Sequence, residues 1–124
     1  MRNRPIIIAI EDEVEDGDAR VTVTLDWNNQ PWHGQAIGSS NARNRLAGEA
    51  ALAAVHRLSG SSIDLELMAV ATTDLGSARI ALAQVRYGPD EIMVGSALQS
   101  EADGQLASVR AVMDAINRRL ELTL

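Results

Sequence analysis

From Arg20 to Trp27 apolar and polar residues alternate, with Val21, Val23, Leu25 and Trp27 on one side and Arg20, Thr22, Thr24 and Asp26 on the other. That period of two is the spacing of a half-buried β-strand. Near the end of the chain the period changes. Between Gln105 and Leu122, Leu106, Val109, Met113, Ile116 and Leu120 recur at steps of three and four, while Ser108, Arg110, Asp114, Asn117, Arg118 and Glu121 fall mainly off that stripe. This predicts an α-helix with one dry face, which needs an apolar sheet to lie on.

The intervening segments complete the plan. Ile6-Ile7-Ile8-Ala9-Ile10 follows Pro5 and reads as a buried strand, and the acidic stretch from Glu11 to Asp18 reads as a solvated hairpin loop ending in the turn signal Asp16-Gly17-Asp18. Asn28-Asn29 predicts a tight turn, because Asn tolerates the left-handed backbone such turns need, and Trp32 to Ile37 is the returning strand. Gly38-Ser39-Ser40-Asn41 then offers N-cap residues for an alanine-rich helix from Arg43 to Leu58, anchored by Leu46, Leu52 and Val55 and closed by Ser59-Gly60-Ser61-Ser62. The second half repeats this order. Ile63 to Val70 is a strand with Ile63, Leu65 and Leu67 on one face, Thr72 to Gly76 a loop, and Arg79–Tyr87 with Glu91–Leu98 a hairpin through Gly88-Pro89-Asp90.

Residues correspond as well as elements. Ala19-Arg20-Val21 answers Ala78-Arg79-Ile80, Trp27 answers Tyr87, Gly34 answers Gly95, Leu46-Ala47 answers Leu106-Ala107, and Ala54-Val55-His56-Arg57 answers Ala115-Ile116-Asn117-Arg118, at offsets drifting from 59 to 61. The expected fold is α+β: duplicated βββα units, about 5–59 and 62–122, forming one domain over residues 1–124. Its antiparallel sheet or sheets carry two amphipathic helices packed on one side.

Composition narrows the function. The 124 residues suffice for one cored domain, and the 46% apolar share is mostly aliphatic because Trp27, Trp32 and Tyr87 are the only aromatics. Without cysteine there are no disulfides, thiolate metal sites or cysteine nucleophiles. No apolar run approaches the roughly 20 residues that span a bilayer, and the N-terminus lacks a signal-peptide core, so the expectation is a cytoplasmic protein with no membrane partner. The net charge of −6, with Arg43 and Arg45 as the one basic cluster, argues against a nucleic-acid partner.

Catalytic and cofactor patterns are missing. The acidic stretch lacks the glycine and closing glutamate of a calcium loop. His33 and His56 have no ligating partner at helical spacing and read as surface residues. The Gly-Ser pairs at 38–39, 60–61, 76–77 and 95–96 are outside any nucleophile elbow, and no glycine-rich nucleotide cradle occurs. The expectation is a protein without catalytic, metal or cofactor sites. One loop stands out. Gly38, Ser39, Ser40 and Asn41 run into a helix N-terminus beside Arg43 and Arg45, a setting of free N–H groups and positive charge that suits a carboxylate. The matching stretch, Gln99-Ser100-Glu101-Ala102-Asp103, is acidic, so the two loops together fit the two ends of a zwitterion.

The βββα-βββα order and the ending Ala107-Ser108-Val109-Arg110-Ala111-Val112-Met113-Asp114-Ala115-Ile116-Asn117-Arg118 resemble the C-terminal regulatory domain of 2-isopropylmalate synthase, over most of residues 5–122. That family's domain binds leucine as a feedback inhibitor and pairs with its copy. The resemblance implies a homodimer and a small metabolite such as an amino acid or carboxylate, with a partner enzyme to regulate. The family loop G-N-G-P-V-D-A is replaced here by Gly38-Ser39-Ser40-Asn41-Ala42-Arg43-Asn44, which keeps only its leading glycine, so leucine itself is not carried over. The family's catalytic barrel of about 250 residues does not fit in this length. The expected function is a stand-alone regulatory or self-association module; the alternative is a structural protein–protein interaction module with no small-molecule ligand.

Overall fold

The computed structural model describes residues 4–99 and 103–124. Strands β1 (Ile6–Glu15), β2 (Asp18–Trp27) and β3 (Gln30–Ser39) form one antiparallel sheet in that order, and β4 (Leu65–Leu75), β5 (Ala78–Tyr87) and β6 (Glu91–Leu98) form a second. A single 3-10 turn, Ser40–Ala42, leads into helix α1 (Arg43–Leu58), and helix α2 (Gly104–Thr123) follows β6. The fold is α+β, built from two βββα units.

The duplication extends to the hydrogen-bond register. Ile7 faces Leu25 and Leu67 faces Val85, each beside a bulge, one between Ile7 and Ala9 and the other between Leu67 and Ala69. Val23 faces Gly34, and Ala83 faces Gly95. The first hairpin of each unit therefore matches at a constant spacing of sixty residues. Val21 answers Ala81, so the sequence match of Ala19-Arg20-Val21 to Ala78-Arg79-Ile80 is one residue out of register. The step to sixty-one occurs at the second turn. Asn28-Asn29, both left-handed at φ 55° and 61°, is a two-residue turn, whereas Gly88-Pro89-Asp90 uses three residues.

Each unit buries the inner face of its sheet under its own helix. Val21, Val23 and Leu25 are fully buried beneath α1, and Ala81, Ala83 and Val85 occupy the same places in the second sheet. Leu46, Leu52 and Val55 anchor α1, and Val109, Met113, Ile116 and Leu120 anchor α2, as their spacing predicts, although Leu106 is only half-buried. The helices meet through small residues. A Cβ on Gly48 would stand 3.1 Å from Val112 of α2 and 3.0 Å from Leu67 of β4, so this glycine lets α1, α2 and the second sheet share one junction.

Several sequence expectations are corrected. The acidic stretch is strand, not loop: β1 runs to Glu15 and the turn is confined to Asp16-Gly17. Thr72 to Leu75 likewise extends β4. Ile6–Ile10 is not a buried strand, because β1 is an edge strand and Ile6 and Ile8 are 65% and 55% exposed. Ser108 is buried, since α2 is covered by α1 as well as by its own sheet. Trp27 and Trp32 are half-buried against the core.

Candidate functional site

The loop singled out in the sequence is a short, ordered connector. The Ser39 hydroxyl accepts the Asn41 N–H at 3.2 Å and caps the 3-10 turn, and Gly38 lies against the Leu46 side chain. Ser40, Asn41, Arg43 and Arg45 line a shallow concavity with Ala42, Asn44 and Val70, whereas Gly38 and Ser39 are outside it. Both arginines are engaged. Arg43 donates to the Asp12 carboxylate at 3.3 Å, and Arg45 donates to the carbonyls of Leu67 at 2.9 Å and Met68 at 3.4 Å, with Glu49 at 3.6 Å.

The helix N-termini meet at the same place. Asp12 also accepts from Gln105 Nε2 at 3.1 Å, and the Asn44 side chain lies against Gly104. The carboxylate facing the start of α1 is thus one the chain supplies itself. The two N-termini differ in capping. Ala42 gives α1 no side-chain cap, while Asp103 caps α2 through the Leu106 N–H at 3.0 Å, an acidic group placed where the helix dipole favours it. Of the predicted second loop, residues 100–102 are outside the described residues.

A feature that sequence reading missed lies on the other flank of α1. A groove of about 790 Å³ opens between β3 and β4, with Leu52 and Ala53 of α1 in its floor, and both His33 and His56 line it. The two histidines are far apart in sequence and on different elements, so no local spacing announces their meeting. The walls are strand edges. Among the described residues neither β3 nor β4 has a strand partner on this side, and α1 covers free acceptors: Arg57 donates to the His33 carbonyl at 3.4 Å, and Arg45 to those of Leu67 and Met68. Thr24 Oγ1 and His33 Nδ1 share a hydrogen bond of 2.8 Å, which fixes that imidazole. Among the described residues, no group of three acidic or histidine side chains is placed to hold a metal ion.

The outer faces of the two sheets differ in chemistry. On the first sheet the outward positions include Glu11, Glu13, Arg20, Thr22, Thr24 and Gln35, with exposed Ile6 and Ile37 toward the ends of the face. On the second they include Ala69, Ala71, Ile80, Leu82, Val94 and Leu98, with Thr73, Gln84 and Ser96 among them and Glu66 and Arg86 paired to each other. Val94 is 67% and Leu98 60% exposed. No helix covers this face, since α2 lies on the opposite side of the sheet. Among the described residues no helix is long and apolar enough to cross a membrane.

At the inner end of the second hairpin, Arg119 stacks over the Tyr87 ring at 4.9 Å and pairs with Glu91. Its hydrogen bond holds the Glu91 carboxyl below the usual carboxylate range. No protein-family model matches the chain, and no curated protein matches it.

Proposed function

We propose that the protein is a self-associating module whose two copies meet through the outer face of the second sheet. One observation carries this reading: the middle of that face is apolar and uncovered, with Ile80, Leu82 and Val94 standing where the duplicated partner sheet has Arg20, Thr22 and His33, although the partner sheet exposes Ile6, Ile8 and Ile37 nearer its ends. Duplicated units that share a core pattern but differ on one outward face differ there for an external reason, because the core places no demand on that face. A contiguous apolar patch of several hundred Å² marks an interaction site. The patch is also self-complementary. Its one ion pair is internally neutralised, so a copy can face a copy around a two-fold axis without like charges meeting.

Edge pairing is the competing route to self-association, and side chains obstruct most of it. Asp114 accepts the free Ser96 N–H of β6 at 2.9 Å, and Arg45 and Arg57 donate to carbonyls of β4 and β3, which blunts three of the four sheet edges and leaves β1 as the edge open to strand addition between copies. A dilution series followed by amide chemical shifts tests the face pairing: shifts confined to β4, β5 and β6 support it, and a concentration-independent spectrum refutes it.

A regulatory, ligand-sensing role accompanies this reading, in keeping with the resemblance to an amino-acid-binding regulatory domain. Its support is the uncapped N-terminus of α1, where Ser40, Asn41, Arg43 and Arg45 line one concavity. A carboxylate binding there has to displace Asp12 from Arg43. Amide shifts at Ser39 to Arg45 on titration with amino acids and small carboxylic acids test it, and their absence at millimolar ligand leaves a structural module that binds no metabolite.

A further inference from the structure

The groove over α1 is bordered by two unpaired strand edges. β3 and β4 are terminal strands of separate sheets, and each turns a free backbone edge toward the same slot. His33–Gln35 and Leu65–Leu67 form the opposing walls, so a segment of three or four extended residues, about 10–13 Å, spans it. Leu52, Ala53, Ile63 and Leu65 give the slot an apolar surface.

The charges in the slot are unevenly answered. Glu49 is paired with Arg45, and Glu66 with Arg86. Arg57 has a single long contact, to the carbonyl of His33, and no carboxylate partner in these pairs. Among the described residues, a chain of net charge −6 thus keeps a guanidinium with no carboxylate partner at the mouth of this slot.

We infer that this slot binds an extended peptide segment of a partner protein by strand addition, with an apolar side chain over Leu52 and Ala53 and an acidic one at Arg57. A strand N–H replaces Arg57 as donor to the His33 carbonyl, and the released guanidinium then takes the segment's carboxylate as a charge-assisted pair. The arginine guards the edge until a segment that can offer both groups arrives. Neither step involves the outer face of the second sheet, so this inference stands apart from self-association.

The test is selection of displayed random decapeptides on the folded wild-type chain, followed by titration of the most enriched synthetic peptide in ¹⁵N-labelled protein. The expected result is enrichment of segments alternating acidic and apolar residues, with amide shifts at Gly34, Gln35, Glu66 and Leu67. Arg57→Ala should weaken binding roughly tenfold, the loss of one charge-assisted contact. Ala53→Glu, which places a negative charge in the floor, should abolish binding while thermal melting shows the variant folded. Failure to enrich any peptide overturns the inference. So does a peptide whose shifts fall on Ile80, Leu82 and Val94, or binding indifferent to both substitutions.

Discussion

Gly34 of β3 lies directly against Ala50 of α1: a Cβ built on the glycine would collide with the Ala50 carbonyl oxygen and come within 2.9 Å of the Ala53 carbonyl carbon. Gly95 of β6 stands in the same relation to Ala111 of α2, with the Ala115 Cα at 2.8 Å from its virtual Cβ. The same close approach of strand to helix is thus built twice. It explains why both helices are rich in alanine, since larger side chains at Ala50 and Ala54 would hold the helix away from the strand.

Gly34→Ala and Gly95→Ala should each destabilise the fold by about 3 kcal/mol, because the obstacle is backbone that cannot rotate away. Urea denaturation measures it. Two losses of similar size support the duplicated packing, and a change under about 0.5 kcal/mol at either site contradicts it.

Met113 is buried in α2 with 3% of its surface exposed. Met113→Asp should cost about 4 kcal/mol, since it places an unpaired carboxylate among apolar neighbours. The same denaturation experiment reads it.

The strand alternation of β2 and the stripes of both helices were legible because each of these elements has one face buried and one wet. β1 was not. As an edge strand it presents Glu11 and Glu13 outward and needs no apolar alternation, so its acidic half looks like a loop. The extension of β4 through Thr72 and Thr73 was hidden for the same reason. Ser108 misled because a helix wedged between a sheet and another helix buries more than one stripe. Of the predicted loop, the structure gathers Ser40, Asn41, Arg43 and Arg45, which adjoin in sequence. The slot between β3 and β4 was invisible because its walls come from different units, joined only by the fold.

The Glu91–Arg119 pair gives a pH signature. The carboxyl of Glu91 is held low in the folded state, first by its hydrogen bond from Arg119 and then by that residue's charge. A folded pKa below the unfolded value contributes stability that is present above the unfolded pKa and is lost as pH falls through the folded one. Wild type should therefore melt higher than Glu91→Gln near neutral pH, with the difference shrinking as pH drops below the ordinary carboxylate range. A constant difference across pH 2–7 would sink this account. The pair is exposed, so the effect should also diminish in high salt.

The proposed pairing of two copies through Ile80, Leu82, Val94 and Leu98 is read by sedimentation equilibrium at micromolar protein. Wild type should sediment at twice its 13.3 kDa chain mass. Val94→Asp, which charges an exposed position without touching the core, should sediment at the single-chain mass with an unchanged circular dichroism spectrum. A wild-type chain that stays at 13.3 kDa contradicts the claim, as does a Val94→Asp variant that remains fully dimeric.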